Sequence, residues 1–349
     1  TLSGANTYGT TTVSAGTLQI GNGGTTGTLG TGAVLNNAAL VMSRSDDVAV
    51  ANAISGTGTL SKLGGNTLTL TGAQTYGGAT NIAAGSLVFQ NDTAPTTPSF
   101  TGAGRVAIEP TSTSFTAALT SNYNYANTLT GVRLGKEGNV KNITSTSAIN
   151  IAGPVSIYGG KITLNADLTT GSTTGTGILL QGIQIVQAAG VDVITSGSNI
   201  SYTLTNSPWT SAQDYGIYLS GSSASKATLN AAGGNVSMTA SYASTGTSGG
   251  YDRLIELDNV IIKTKGAGTI TITSDGSNDG NTGATDVWAI GFNTSTAGTA
   301  LIQTENGAIT LTGTAGKLNG NSRGIVAQTS ALSILSATGA ITLKDIQPS

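Results

Sequence analysis

The sequence predicts an all-β protein, a right-handed parallel β-helix (β-solenoid) built as a single elongated stack. Three observations predict this fold: a composition that disfavours helices, short alternating strands separated by glycine-bearing turns, and strand spellings that recur at roughly regular intervals. Together they indicate short strands that repeat along the chain and pack against their own copies.

The composition favours strands and turns over helices. Glycine accounts for 51 of the 349 residues, roughly twice the usual ~7%, and charged residues are only 9%. Helices are weakened by glycine, whereas threonine, valine and isoleucine favour strands. Full disorder is the alternative for a chain rich in Gly, Ser and Thr, but it requires low hydrophobicity and a high net charge. Here hydrophobic residues reach 38% and the net charge is −2, so a packed fold is favoured.

The stretch NTLTLTGAQTYGGATNIAAGSLVF (residues 66–89) shows the strand and turn pattern most clearly. Leu68 and Leu70 alternate with threonines, and two further apolar clusters each follow a glycine-bearing turn. This pattern predicts short strands joined by turns. A similar spelling, TLSGANTYGTTTVSAGTLQI, opens the chain, and its Gly4 corresponds to Gly72. The first part of the chain therefore contains two copies of one unit.

Two other strand spellings recur in the second half of the chain. The first has the form Gly-x-Ile-Thr-Leu, with Val or Met tolerated, and recurs around Ile162, Ile200, Val236, Ile270, Ile309 and Ile341. The second interleaves with it around Ile178, Ile217, Ile255, Ile290 and Ile325. One such unit cannot close a core on its own, but stacking pairs each strand with its equivalent in the next unit, about 4.8 Å away. The two series therefore predict two parallel ladders.

Proline marks a boundary in this organisation. Pro95 and Pro98 are two of only six prolines, and both fall in NDTAPTTPSF at 91–100. Neither can donate a backbone hydrogen bond to a ladder. We therefore predict three segments of one continuous stack. They are a first repeat region at 1–90, an irregular continuation at 91–155, and repeats of about 36 residues at 156–349.

Residues 56–89 resemble the autotransporter-associated β-strand repeat of bacterial type V passenger domains. The marks of that repeat here are Gly58-Thr59-Leu60, Lys62, Leu68-Thr69-Leu70-Thr71-Gly72, Thr75-Tyr76, Gly78 and Ala84-Gly85. The first copy keeps Gly4-Ala5-Asn6-Thr7-Tyr8 and Ala15-Gly16-Thr17-Leu18 but is one residue shorter at the Gly-Gly step. The resemblance covers residues 1–90, about a quarter of the chain.

The rest of the chain, most clearly from about residue 130, is similar in strand style to filamentous-haemagglutinin-like secreted β-helix proteins. The two resemblances imply a secreted or cell-surface passenger, associated with the outer membrane of a Gram-negative bacterium. They also imply that the signal peptide and the outer-membrane translocator lie outside this fragment. Such families are mostly adhesins or extended stalks, with occasional enzymes. The partners implied are a host or neighbouring-cell surface, glycans or matrix.

One turn has the spacing of a calcium loop. In DGSNDGNTGATD, residues 275–286, Asp275, Ser277, Asp279 and Asp286 fall at positions 1, 3, 5 and 12 of such a loop. Position 12 is usually glutamate in calcium loops, and Asp-Gly-Ser-Asn is also ordinary turn spelling. A plain solvent-exposed turn is therefore the favoured interpretation, with calcium as the alternative.

Charged residues are densest at 252–265, where Asp252, Glu256 and Asp258 share one face of a strand. Paired carboxylates are what glycoside hydrolysis requires. The alternative, which we favour, is an outward-facing solvated strand with Ile255 and Leu257 on the core side. A second charged cluster, at Arg133, Lys136, Glu137 and Lys141, is interpreted as a loop.

Several classes of site are disfavoured by the residues present. The chain contains no cysteine and no histidine, so thiolate and imidazole metal sites are excluded. Its fourteen Lys and Arg residues form no basic stripe, so no nucleic-acid partner is expected. Trp209 and Trp288 are either exposed platforms for sugars or half-buried packing residues.

The predicted function is that of a non-catalytic extracellular structural or adhesive rod, a fragment of a large bacterial surface or secreted passenger protein. We expect no enzyme activity and no cofactor, and we assign no residue a catalytic role. Two alternatives stay open at this point. One is the subunit of an extracellular filament, in which the chain self-associates into fibres, and the other is a polysaccharide-active β-helix enzyme.

Overall fold

The computed structural model describes residues 1–205, 215–241, 250–277, 284–293, 298–316, 322–328 and 331–346. These residues form β-strands joined by turns, and the pairings described between strands are all parallel. In the part of the chain that the structure describes, no helix is long and apolar enough to cross a membrane. The prediction of an all-β fold with parallel ladders is confirmed. The chain divides into two compact units, Thr1–Ile157 and Tyr158–Ser349.

The strands of the first unit are short, and most have three to five residues. They are β1 (Thr11–Val13), β2 (Thr17–Ile20), β3 (Val34–Asn36), β4 (Ala39–Met42), β5 (Val48–Val50), β6 (Ile54–Ser55), β7 (Thr59–Lys62), β8 (Thr67–Leu70), β9 (Thr80–Ile82), β10 (Ser86–Gln90), β11 (Ser99–Gly102), β12 (Arg105–Glu109), β13 (Leu119–Ser121), β14 (Asn124–Tyr125), β15 (Gly131–Leu134), β16 (Ile143–Ser145) and β17 (Ile149–Ile151).

The strands from β18 onward have three to twelve residues. They are β18 (Val155–Leu164), β19 (Leu168–Thr170), β20 (Thr176–Gln187), β21 (Asp192–Thr195), β22 (Asn199–Leu204), β23 (Tyr215–Ser220), β24 (Ala227–Asn230), β25 (Val236–Ser241), β26 (Gly250–Asp258), β27 (Val260–Lys263), β28 (Ile270–Asp275), β29 (Ala284–Asn293), β30 (Thr299–Thr304), β31 (Ile309–Thr314), β32 (Arg323–Gln328), β33 (Ala331–Ser336) and β34 (Ile341–Ile346).

In the first unit the chain passes through three parallel ladders in turn. One ladder contains β1, β3 and β6, the second contains β2, β4, β7, β9, β11 and β14, and the third contains β5, β8, β10, β12 and β15. In the second ladder Leu40, Leu60, Thr80 and Phe100 lie opposite one another in successive coils, at equal intervals along the chain. All four side chains are buried, so this row is part of the core. We call the coils with this spacing the short coils.

The two copies of the repeated spelling do not stack on each other. Val13 of the first copy lies in β1, whereas its counterpart Ile82 lies in β9, which belongs to a different ladder. The spelling therefore specifies two strands and the corner between them rather than one whole coil. The Ala-Gly step forms that corner in both copies, and Gly16 and Gly85 have φ values of 71° and 67°. Positive φ is strained for residues other than glycine, which explains why glycine occupies this position in both copies.

Strand pairing continues across the segment with two prolines. Residues 91–98 form a corner between β10 and β11, and Phe100 in β11 pairs with Thr80 of the preceding coil. The spacing along the chain then lengthens, because Val106 pairs with Val132. We call the coil that begins here the long coil. The proline corner therefore lies where short coils give way to a long one.

Aromatic side chains fill the interior beside the long coil. The Phe100 ring lies 5.7 Å from Phe89, 5.1 Å from Tyr123 and 5.7 Å from Tyr125, measured between ring centroids. Tyr123 Oη donates to the carbonyl of Pro95 at 2.9 Å. These aromatic contacts and the hydrogen bond hold the proline corner against the core.

In the second unit each coil again contributes strands to three ladders. The first ladder is β20, β22, β25, β28, β31 and β34, the second is β20, β23, β26, β29 and β32, and the third is β19, β21, β24, β27, β30 and β33. The predicted row is confirmed in register from Ile200 through Val236, Ile270 and Ile309 to Ile341. The place of its first member, Ile162 in β18, stays a prediction. The row Ile217, Ile255, Ile290 and Ile325 is also confirmed.

One assignment within these rows is wrong. The sequence series places Ile178 before Ile217, but Ile178 pairs with Ile200, and it is Ile185 that pairs with Ile217. The physical reason is that β20 takes part in two ladders, since its first half pairs with β22 and its last residues pair with β23. The third ladder is not predicted by either series.

Candidate functional site

A cluster of charged and aromatic side chains lies on the outer side of the second ladder in the second unit. Arg253 and Glu256 in β26 form a salt bridge with Nη1 and Oε1 2.7 Å apart. The Arg253 guanidinium also lies over the Trp288 ring, with Cζ 4.2 Å from the ring centroid. The rings of Tyr215 and Tyr218, in the preceding coil, stack with their centroids 4.5 Å apart. We call Tyr215, Tyr218, Arg253, Glu256 and Trp288 the outer-face cluster.

Strand register explains why these residues meet. Tyr215, Arg253 and Trp288 occupy the same position in three successive coils, and so do Tyr218, Glu256 and Gly291. A side chain at 291 would not fit, because a Cβ there would lie 2.5 Å from Glu256 Oε2 and 3.0 Å from the Trp288 ring. Glycine in the next coil therefore leaves room for the Glu256 carboxyl and the Trp288 ring.

Burial dominates the electrostatics of Glu256. Glu256 is 1% exposed, and desolvation raises the pKa of its carboxyl to about 7, against the opposing effects of Arg253 and of the Asn293 side chain. Its Oε1 contacts Arg253, whereas Oε2 has no hydrogen-bond partner of good geometry among the described residues. Burial outweighs the salt bridge here because a charged carboxylate loses more solvation than one guanidinium returns.

The three carboxylates predicted to lie on a solvated face are not all solvated. Asp252 and Glu256 are both 1% exposed, and Asp258 is half-buried. The favoured interpretation, an outward-facing solvated strand, is therefore wrong for Asp252 and Glu256. Ile255 and Leu257 do face the core, as predicted, and are fully buried. Neighbouring coils cover the outer side, and sequence periodicity within β26 carries no signal of that cover.

The residues of the predicted calcium loop are only partly described. Asp275 is half-buried, and its Oδ1 accepts a hydrogen bond from the Ser277 amide at 2.9 Å, as in an ordinary turn. Asp279 lies outside the described residues, and only the backbone of Asp286, in β29, is described. No group of three or more metal-ligating side chains occurs among the described residues. Calcium binding at these positions stays a prediction.

The structure tests some of the predictions for the two tryptophans and for the second charged cluster. Trp288 is 5% exposed and packs on Arg253, so it is a packing residue and not an exposed platform. Trp209 lies outside the described residues. In the remaining cluster the predicted loop is correct for Lys136, Glu137 and Lys141 but wrong for Arg133, which lies in β15. Arg133 forms a salt bridge with Glu109 of the preceding coil, and its side chain remains 46% exposed.

Lys62, which is characteristic of the repeat, is a buried lysine that stabilises two corners. It is 1% exposed and follows Met42 in a row that faces the core. Its Nζ donates to the carbonyls of Gly64 at 2.5 Å and Ala84 at 3.0 Å, and to Asn66 Oδ1 at 3.2 Å. Lys62 therefore ties the corner of its own coil to the corner of the next.

A groove of about 520 Å³ lies beside the proline corner in the first unit. One side is formed by residues 94–98 and the other by residues 120–124 of the following coil. Thr120, Asn122 and Asn124 are exposed there, while the alternating Ser121 and Tyr123 are buried. No charged residue lines the groove. The sequence marks the prolines as a boundary but carries no signal of a groove.

Comparison with known families identifies the repeated spelling. The profile of the passenger-associated transport repeat matches residues 1–20 and 60–89, the two copies described above. These two segments carry the passenger-associated transport repeat. The predicted resemblance for residues 1–90 is therefore confirmed, and the similarity of the remaining residues to haemagglutinin-like proteins stays a prediction.

A curated relative supports the same assignment. The adhesin BmaC autotransporter of Brucella suis biovar 1 (strain 1330) is 57% identical to this chain over 54 residues. Those residues are 16% of this chain and 2% of the relative, so the chain matches only a small part of that protein. No solved structure matches the chain.

Proposed function

We propose that this chain is a non-catalytic structural and adhesive segment of a large passenger protein. The chain is secreted or displayed at the surface of a Gram-negative bacterium, as its passenger repeats indicate. The observation that carries the proposal is the 57% identity to an autotransporter adhesin over 54 residues. Within each unit the parallel ladders support a scaffold role, since stacked coils hold their corners at fixed spacing.

The proposed fold is a right-handed β-helix built as a single elongated stack, and its proposed partners are a host or neighbouring-cell surface, glycans or matrix. Small-angle X-ray scattering of the purified chain tests the elongated stack. A pair-distance distribution with a long tail supports it, and a symmetric distribution contradicts it.

The geometry of the carboxylates supports a non-catalytic chain. Two glycosidase carboxylates must flank a substrate, roughly 5 to 9.5 Å apart, in an accessible cleft. Here Glu256 is 1% exposed and one of its oxygens is held by Arg253. Incubation of the chain with plant, bacterial and host polysaccharides should therefore release no reducing ends. Release that Glu256→Gln abolishes would overturn the non-catalytic assignment.

Adhesion is tested directly with the purified chain. Microspheres coated with the 349-residue chain should bind epithelial cell monolayers or immobilised matrix in a saturable way. Soluble chain should compete for this binding, and beads coated with an unrelated protein of similar charge serve as the control. Binding no greater than that of the control beads on every surface would contradict an adhesive role.

Self-association into fibres is the second candidate function. The low content of charged residues, 9% of the chain, favours it, because strand edges with few charges are templates for further pairing. Negative-stain electron microscopy over a concentration series decides the matter, because discrete particles at every concentration would exclude filaments.

A further inference from the structure

We propose that the groove beside the proline corner is a binding site for an uncharged saccharide. This inference rests on the proposed adhesive function and names a ligand class for it. The groove, of about 520 Å³, falls within the size range of small-molecule sites, roughly 300–1,000 Å³. It lies where the short coils give way to the long coil.

The polar side chains of the groove are available to a ligand. Thr120, Asn122 and Asn124 are all exposed, and all three line the groove. Among the described residues, none of these three side chains forms an intramolecular hydrogen bond. Asparagine amides both donate and accept hydrogen bonds, as does a threonine hydroxyl. This combination matches the hydroxyl groups of a sugar.

The opposite wall supplies apolar surface. Pro98 is exposed at the edge of the groove, and Pro95 is buried behind it. A proline ring offers a flat apolar face to the C–H groups of a sugar ring. The wall is held in place, because Tyr123 Oη donates to the Pro95 carbonyl and Thr97 Oγ1 donates to the Gly78 carbonyl at 2.8 Å. The site is therefore preformed.

Two other ligand classes fit the groove less well. An extended peptide binds by backbone hydrogen bonds to a free strand edge, but here the Thr96 amide already donates to Gln74 and the Asn124 amide to Pro98. An acidic glycan requires a cation, and no Lys or Arg lines the groove. An uncharged saccharide is therefore the class that the groove favours.

The test uses the full chain on an array of neutral and acidic glycans, followed by calorimetry with the best neutral oligosaccharide. Asn122→Ala together with Asn124→Ala should weaken binding at least tenfold, since each lost hydrogen bond reduces affinity severalfold. Asn127→Ala, at another exposed asparagine close by in the chain, is the matched control and should leave affinity unchanged. Circular dichroism and thermal unfolding confirm that all the variants are folded.

The outcomes separate this inference from the proposed function. Binding of no neutral glycan, a preference for acidic glycans, or equal affinity in the double variant and the Asn127→Ala control would each overturn the saccharide site. If coated beads still adhere to cells in that case, the adhesive function stands without this groove. If the beads also fail to adhere, the adhesive function is contradicted as well.

Discussion

Lys62 illustrates how a single residue of the repeat contributes to the stack. A lysine in a row of buried side chains is costly unless each of its donors has an acceptor. Here two carbonyls and one amide oxygen, from two successive coils, surround the ammonium group. The sequence marks Lys62 as part of the repeat, but its partners could not be predicted because Ala84 belongs to the next coil.

Replacing Lys62 should therefore destabilise the first unit. Lys62→Met keeps an unbranched chain of similar length but leaves the carbonyls of Gly64 and Ala84 without their donor. We expect a loss of about 2 to 3 kcal/mol in the free energy of unfolding. Urea unfolding followed by far-UV circular dichroism measures it, with Lys141→Met at an exposed lysine of the same unit as the control. Equal midpoints for the two variants would contradict this role.

Glu256 gives the second unit a dependence on pH. Its pKa is about 7 in the folded chain and about 4.3 in an unfolded one. Between these values the folded state holds a proton that the unfolded state has lost. Stability contributed by the protonated carboxyl is therefore fully present below the unfolded pKa and is lost as the pH rises through about 7.

Glu256→Gln should remove this dependence. Glutamine keeps the acceptor for Arg253 but carries no titratable proton. Relative to wild type, the variant should gain stability between pH 5 and 8, on the order of 3 kcal/mol at most. Tryptophan fluorescence during urea unfolding reports on this unit, since both tryptophans lie after residue 158. Glu305→Gln controls for the loss of one exposed carboxyl, and a constant difference between Glu256→Gln and wild type at every pH would contradict the account.

At the scale of the strand and its corner, the sequence predicts which residues of similar strands stack in a row. It predicts less well which strands pair with each other. The shared sequence pattern correctly predicts the register of the strands from Ile200 to Ile341. The third ladder escapes prediction because its strands, such as ATLN in β24 and VIIK in β27, share no spelling. A long strand that takes part in two ladders, such as β20, also obscures the position of Ile178, since interval alone does not distinguish the ladders.

Buried threonines close the corners that follow the third ladder. The single proton of Thr195 Oγ1 is shared between the carbonyls of Ser198 and Ala231, and Thr304 Oγ1 donates to that of Gly307. Thr264 Oγ1 donates to the Gly234 carbonyl at 2.6 Å and accepts from the Gly233 amide at 3.2 Å. Each hydroxyl thus satisfies backbone groups that a corner leaves outside the ladders.

Thr264→Val tests this function of the corner residues. Valine matches the shape of threonine and suits a strand, but it leaves two backbone groups without their partner. We expect a loss of about 1 to 3 kcal/mol in the free energy of unfolding. Thr271→Val, at an exposed threonine of the next strand, should change stability little. Similar effects of the two substitutions would show that the corner hydroxyl contributes nothing specific.

At the scale of the whole molecule, repetition makes the fold predictable and leaves the sites unpredictable. The same sequence pattern recurs because every coil must place apolar side chains at equivalent positions. Composition and spacing therefore predict the all-β coils. The groove arises where short coils give way to a long one, and its Thr and Asn residues are of types found throughout the chain. The outer-face cluster joins residues of three coils that are far apart in sequence. Local patterns single out Glu256, Trp288 and the two prolines, but not the residues of neighbouring coils that complete either site.

Cysteine cross-linking tests the central claim, which is parallel stacking of successive coils in register. The native chain has no cysteine, so an engineered pair reports without background. Thr271 and Thr310 lie opposite each other in β28 and β31, and neighbouring strands bring such pairs within the Cα separation of roughly 4.4 to 6.8 Å that a disulfide spans. Thr271→Cys with Thr310→Cys should form a disulfide rapidly under mild oxidation, whereas Thr271→Cys with Thr312→Cys should not. Equal cross-linking of the two pairs, or cross-linking of the second pair alone, would contradict the stack.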